Sequence, residues 1–307
     1  MTSRERIKKI FDFKIPDRVG IFDDFSDGAI KKWRNEKKLP RDVSPQEYFD
    51  FDIRLFGFEQ TFNIDLEKSL FLERINNPSI GESLKDNYDE ANKKEKFLVL
   101  SLMEPFEHIA KILGEEKLLT MMAKDKDKAT TLFKNSLEST LTMCQLLLDE
   151  GYNFDGAWLW GDFGYEKGLI FSTDYYNAFL FDFHKGLCDF FAKNGMPVIF
   201  HSDGNIKELI PHLIEAGVQA IEPLESNVGM NLFELKKEYG KDIILFGGID
   251  ELVFTDIKKA EKEIKLKFEY LMKGGGYIYH ADSPILDNVS FKNYKCVIEL
   301  VKRYGTY

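Results

Sequence analysis

Pro197-Val-Ile-Phe-His201-Ser-Asp-Gly204 is a short apolar run that stops on a histidine, a carboxylate and a glycine. A segment of helical period follows, Ile206 to Ala216, ended by Gly217. The next apolar run, Val218-Gln-Ala-Ile-Glu222, again stops on a carboxylate. Runs that are apolar throughout, rather than alternating, suit strands covered on both faces. Strand, helix and strand in that order make a parallel crossover unit. Downstream the pattern repeats: a helix over Asn231 to Tyr239 stopped by Gly240, then the strand Ile243-Ile-Leu-Phe-Gly247. A helix over Asp256 to Lys273, stopped by Gly274-Gly275-Gly276, leads to a strand over Tyr277 to His280 and a last helix over Phe291 to Tyr304. Upstream lie the strands Phe97 to Met103 and Asp155-Gly-Ala-Trp-Leu-Trp160, with a helix over Thr173 to Asn194. No GxGxxG turn follows any strand, as a doubly wound dinucleotide-binding sheet would have. Instead polar residues collect where strands end: Asp23 and Asp24 after Val19-Gly-Ile-Phe22, then Glu104, Asp162, His201 with Asp203, Glu222, Asp250, and His280 with Asp282. These features predict an α/β fold, a single (β/α)8 barrel of the TIM type over residues 1–307 with N-terminal additions. Its strand ends converge on one mouth.

The 307 residues suit one such barrel, and 44% hydrophobic with 31% charged residues is ordinary for a large core. No run approaches the roughly 20 apolar residues that span a bilayer, so no membrane is expected. The start, Met1-Thr-Ser-Arg-Glu-Arg-Ile-Lys-Lys-Ile, lacks the apolar core of an export signal, which predicts a cytoplasmic protein. A net charge of -10 argues against nucleic acid as a partner. Cys144, Cys188 and Cys296 stand singly in helical patterns, without CxxC spacing, and read as reduced thiols in packing positions. The stretch from about 64 to 96 is polar and rich in Asn and Lys, and reads as an insertion or exposed hairpin.

Several segments resemble the uroporphyrinogen decarboxylase superfamily. They are His201-Ser-Asp-Gly-Asn-Ile, Ile221-Glu-Pro-Leu-Glu225, Leu245-Phe-Gly-Gly-Ile-Asp250, Gly274-Gly-Gly-Tyr-Ile with Asp282-Ser-Pro-Ile, and Gly161-Asp-Phe-Gly-Tyr-Glu-Lys-Gly168. Ser3-Arg-Glu-Arg and Pro16-Asp-Arg-Val resemble its usual start. The resemblance covers both ends and most of residues 150–307, and is weak over 25–145. Its decarboxylases carry an N-terminal Arg-rich motif that grips tetrapyrrole carboxylates. Here that region reads Phe22-Asp-Asp-Phe-Ser-Asp-Gly, which would repel such a substrate. Its zinc methyltransferases carry His-x-Cys where this chain has His201-Ser-Asp203. The resemblance therefore implies a corrinoid-dependent methyltransferase of the anaerobic O-demethylase kind. It would move a methyl group from a small methoxy donor, such as an aryl methyl ether, to the cobalt of a partner corrinoid protein. A His and carboxylate site, harder than one with thiolates, suits zinc acting on oxygen.

Residue by residue, His201, Glu222 and Asp282 are the candidate metal ligands, with Asp203 the alternative third. The bland reading of His201 is an imidazole held by a carboxylate at a polar rim. Asp162 and Asp203 are the candidate catalytic carboxylates, Asp162 as a general acid on the leaving oxygen. Phe22, Asp23, Asp24, Tyr165 and His280 are candidate substrate contacts. Phe22, Phe25, Phe49, Phe51, Phe56, Phe58 and Phe62 crowd the N-terminal region, mostly as core, with some able to line a slot for an aromatic ring. His108, His184 and His212 read as surface or packing residues. Two other readings stand beside methyl transfer: tetrapyrrole decarboxylation without a metal, and a non-catalytic barrel that binds a small ligand or corrinoid.

Overall fold

The computed structural model describes residues 1–57 and 83–307. Eight parallel strands make the barrel: β1 Gly20–Ile21, β2 Ile53–Gly57, β3 Phe97–Met103, β4 Gly156–Trp160, β5 Val198–His201, β6 Ala220–Glu222, β7 Ile244–Phe246 and β8 Tyr277–Tyr279. Each strand from β2 onward pairs with its successor, and β8 pairs with β1. The expected barrel is the observed one, with helices between strands forming the outer layer. The apolar runs are strands because Val, Ile, Phe and Trp pack well on a pleated surface buried on both sides. Burial is complete across Phe97, Leu98 and Val99 and across Ile243 to Phe246.

The last pairing, between β1 and β2, has no ladder of its own. Asp52 closes it instead. Its backbone N–H donates to Ile21 O at 2.9 Å, and its Oδ2 accepts from Ile21 N at 2.8 Å. The same buried carboxylate accepts from Arg18 Nη1 at 2.7 Å, Arg6 Nη1 at 2.8 Å and Ser3 Oγ at 2.8 Å. Two guanidiniums around one carboxylate make its burial tolerable, because a lone buried charge is costly.

Register sets the site. In a parallel sheet, partners across strands lie at the same level and face the same way. His201 is the partner of Glu222 and Trp160 is the partner of His201. Inside the barrel, Trp158 of β4 and Phe246 of β7 form one packed layer with Phe22 and His280, which directly follow β1 and β8, and the ring centroids lie 5.6–6.1 Å apart. This is the filled interior expected of an eight-stranded barrel. Beside it, Phe25, Trp33, Phe49, Phe51 and Tyr294 make an aromatic cluster under the first loop. Phe58 and Phe62 lie outside the described residues.

Two expectations change. Part of the supposed hairpin over 64–96 is the helix Ser83–Lys93, and 64–82 lie outside the described residues. The helix expected over Thr173 to Asn194 is two, Thr173–Phe179 and Phe181–Lys193, broken at Leu180. Across the break the buried Tyr176 hydroxyl bonds His184 Nδ1 at 2.9 Å. Cys144 and Cys188 are buried and Cys296 is half-buried, and none of the three forms a disulfide among the described residues. Among the described residues no helix is long and apolar enough to cross a membrane.

Candidate active site

His201 ends β5 and stands half-buried at the mouth, with Trp158 stacked against its ring at 6.1 Å. Its Nδ1 donates to Glu222 Oε2 at 2.5 Å. Glu222 is buried, and its other oxygen lies 3.1 Å from His280 Nδ1, without the alignment of a hydrogen bond. His280 is buried and stacked flat on Phe22. Burial alone would push the His201 imidazole down, but the Glu222 carboxylate against it holds it up, to about 9. Burial raises Glu222 to about 7, with His201 opposing the rise. Burial lowers His280 to about 3, so that ring is neutral near pH 7. The imidazole is thereby fixed with Nδ1–H on Glu222 and Nε2 directed away from it.

That free nitrogen faces two carboxylates. Asp162 Oδ1 lies 3.8 Å from His201 Nε2, and Asp203 Oδ1 lies 3.9 Å from it. The three ligand atoms come within 4.8 Å of one another. Asp162 Oδ1 also accepts from Asp203 N at 3.0 Å, which ties the two loops together. The loops approach backbone to backbone. A Cβ on Gly164 would sit 2.6 Å from Asp203 O, and one on Gly204, at φ +80°, 2.4 Å from the Gly164 carbonyl carbon. Only glycine permits that approach and that dihedral. Asp24 is half-buried; burial raises its carboxyl, and the His201 charge pulls it back. Burial also raises Asp203, against the same pull.

The candidate residues thus divide. Asp162, His201 and Asp203 converge, with Glu222 and then His280 beneath and Asp24 within electrostatic reach. For Glu222 the bland reading, a carboxylate holding an imidazole, describes the contact made. Asp282 is placed elsewhere, in a group with Asp250 and Glu251. Burial, then its hydrogen bond to Glu251, raises its carboxyl to about 8. Asp23 is fully buried, accepting from Ala281 N at 2.7 Å and Tyr294 Oη at 2.5 Å. Tyr165 is exposed on the hairpin Gly164–Tyr165 and Gly168–Leu169.

Phe22 and Asp24 line a cavity of about 510 Å³ that runs along β2. Arg54, Lys94 and Lys96 also line this cavity. Lys94 is engaged by Glu47 at 2.6 Å, and Lys96 is bonded to Asp50. These basic residues lie outside the polar strand ends, so no motif marked them. Trp158 and Glu225 were missed too. Trp158 reads as plain strand core, and Glu225, which accepts from Gly204 N at 2.5 Å, follows its strand by three residues. The buried pair Glu104 and His184, 3.4 Å apart, belongs to packing behind this loop, as His184 was read.

A family model, uroporphyrinogen decarboxylase (URO-D), matches residues 76–304. Among solved structures, a methyltransferase from Methanosarcina mazei superposes with a TM-score of 0.72 over 99% of both chains, at 13% identity. At that identity the likeness is one of fold. An endoglucanase from Clostridum cellulovorans reaches a TM-score of 0.47 at 11% identity, over 99% of this chain and 96% of its own. No curated protein matches the chain.

Proposed function

Because the chain belongs to the uroporphyrinogen decarboxylase family, we propose that it is a methyltransferase of that superfamily, moving a methyl group from a small methoxy donor to the cobalt of a corrinoid protein. The observation that carries this reading is the group His201, Asp162 and Asp203 at the barrel mouth, with Glu222 fixing the imidazole. A His and two carboxylates with donor atoms this close fit a three-ligand zinc site with one open position, after a small closure. Asp162 and Asp203 then take the ligand places first expected of Glu222 and Asp282. When bound, zinc would supply Lewis acidity toward the donor's oxygen.

The chain's own residues do the rest. An ether methyl is a poor electrophile because its oxygen leaves reluctantly. In the transfer the electron pair of Co(I) forms the carbon–cobalt bond, and the pair of the broken carbon–oxygen bond stays on oxygen. That oxygen needs a proton or a positive partner as its charge grows. We assign the delivery of that proton to Asp24, which lines the cavity at the mouth and whose carboxyl burial raises. Phe22 lines the same cavity and offers an aryl donor an apolar wall. The corrinoid protein would cover the mouth, delivering its cobalt from outside the barrel. Decarboxylation of a polyanionic tetrapyrrole fits less well, since Asp24, Asp162 and Asp203 crowd this face and Arg6 and Arg18 are spent on Asp52.

The test pairs elemental analysis of zinc-supplemented protein with methylation of Co(I) followed by absorbance. Wild type should hold about one zinc per chain. His201→Ala should lose both the metal and methyl transfer while remaining folded. A metal-free wild type that still methylates cobalt would remove zinc from the reading. Uroporphyrinogen turnover without cobalt methylation would replace it with decarboxylation.

A further inference from the structure

At the opposite end of the barrel, where Gly240 and Gly276 lead toward β7 and β8, lies a second cavity of about 400 Å³. It is lined by Lys236, Lys237, Lys241 and Lys273, with the Tyr270 ring, Phe13 and two glycines. No carboxylate lines it, and none of the four lysines forms an ion pair among the described residues. In a chain of net charge -10 such a cluster is out of keeping with its surroundings. Lysines near helix C-termini commonly answer the helix dipole. That accounts for Lys236 and Lys237 in the last turn of the helix Leu232–Tyr239, but not for four ammonium groups gathered round one hollow.

Lys236 is the informative member. It is half-buried, and its Nζ finds a single acceptor, Gly275 O at 2.6 Å. Its stem runs over Gly240, where a Cβ would lie 2.6 Å from Lys236 Cδ, so glycine is what lets the side chain fold back into the hollow. An ammonium has three donors, and one carbonyl leaves two unanswered. Burial without a counter-charge lowers the amine to about 8, a cost that a bound anion would offset. The rim is shaped by Gly274, Gly275 and Gly276, all at positive φ, which turn the chain after Lys273 without crowding the opening.

We infer that this hollow is a binding site for a phosphate dianion, either free or as the phosphomonoester of a small molecule whose ring would rest on Tyr270. Phosphate answers several ammonium groups at once, and lysine binds it as a point charge without demanding a planar fork. The site is distinct from the mouth, on the face that in barrels carries stability rather than chemistry. A ligand there would act as an effector or a tether, not as a substrate.

The experiment uses the intact chain at constant ionic strength and titrates orthophosphate, and separately adenosine monophosphate, by calorimetry and thermal unfolding. Wild type should show saturable binding and a rising unfolding temperature. Lys236→Met, which keeps the apolar stem, should weaken binding at least about tenfold. Lys273→Ser, at an exposed position, should weaken it in the same sense without touching the core. Tighter binding of the nucleotide than of orthophosphate, lost in Tyr270→Ala, would identify the phosphomonoester as the source. Equal binding of both would identify the free anion. Absence of saturation with either ligand up to about 10 mM, or equal binding by wild type and both lysine variants, would overturn the proposal.

Discussion

Asp23 and Asp24 are neighbours in sequence with opposite fates. Asp23 turns into the barrel wall and joins β1 to the end of β8 through Ala281 N and to the last helix through Tyr294 Oη. Asp24 turns to the cavity at the mouth. Side chains at the end of a strand alternate faces, and a pair of identical residues carries no mark of which is which. The same holds for Glu222 and Asp282. Their position at strand ends was legible, but the nitrogen each would meet depends on rotamers and register that the sequence does not display. Asp23 yields a pH prediction. Burial raises its folded pKa to about 7, above the ordinary carboxyl value. A group with a raised folded pKa contributes stability that is fully present below the unfolded pKa and is lost as pH rises through the folded one. Wild type should therefore lose stability from this source between pH 5 and pH 8, by on the order of 2 kcal/mol. Asp23→Asn keeps an acceptor for Ala281 N and a donor for Tyr294 Oη, so urea unfolding at the two pH values should show that difference shrink. An unchanged difference would mean that Asp23 does not titrate in this range. At Glu222 the expectation is chemical. Glu222→Gln leaves an acceptor but removes the charge behind His201, and zinc affinity measured by chelator competition should fall about 10- to 100-fold.

The loops after β4 and β5 act as one element at the mouth, because Gly164 and Gly204 let their backbones touch. Gly164→Ala would drive a methyl group into Asp203 O. The displaced loop carries a proposed ligand. Metal affinity and turnover should fall at least about tenfold, since misplacement of about 1 Å costs that much or more. Circular dichroism should remain that of wild type, and unfolding in urea should change by no more than about 2 kcal/mol. Loss of folding would show instead that the contact serves stability first. Seven of the eight barrel strands were plain in the sequence, each apolar run becoming a strand within one or two residues of its expected limits, but β2, Ile53–Gly57, where Arg54 interrupts the apolar run, was not marked. Gly217 and Gly240 likewise stop helices where they were expected to. What escaped was contact between loops. Gly164 reads as one more glycine in Trp160-Gly-Asp-Phe-Gly-Tyr165 until the partner backbone is seen beside it.

At the scale of the whole barrel, seven strand pairings among the described residues are ladders and the eighth is held by Asp52. Replacing that residue with Asn removes the charge that answers Arg6 and Arg18 and leaves both guanidiniums without their common partner. Breaking a buried ion network by removing one member costs about 3–5 kcal/mol. Asp52→Asn should lower stability by that order in equilibrium urea unfolding, and a change under about 1 kcal/mol would mean the seam is held by other contacts. The alternation of apolar runs with helical segments, and the polar residues at the strand ends, foretold the closed α/β architecture, yet Asp52 carried no sign of its role, because closure joins segments that the linear pattern keeps apart. A ring laced on seven sides and pinned on the eighth also has a preferred place to part. Deuterium should enter the backbone amides of Arg54 and Phe56 sooner than those of Ile199 and Phe200. In kinetics, a pin that is set only after the strands have lined up belongs to the late part of folding. Its loss should quicken the unfolding arm of the chevron while leaving the refolding arm nearly where it was.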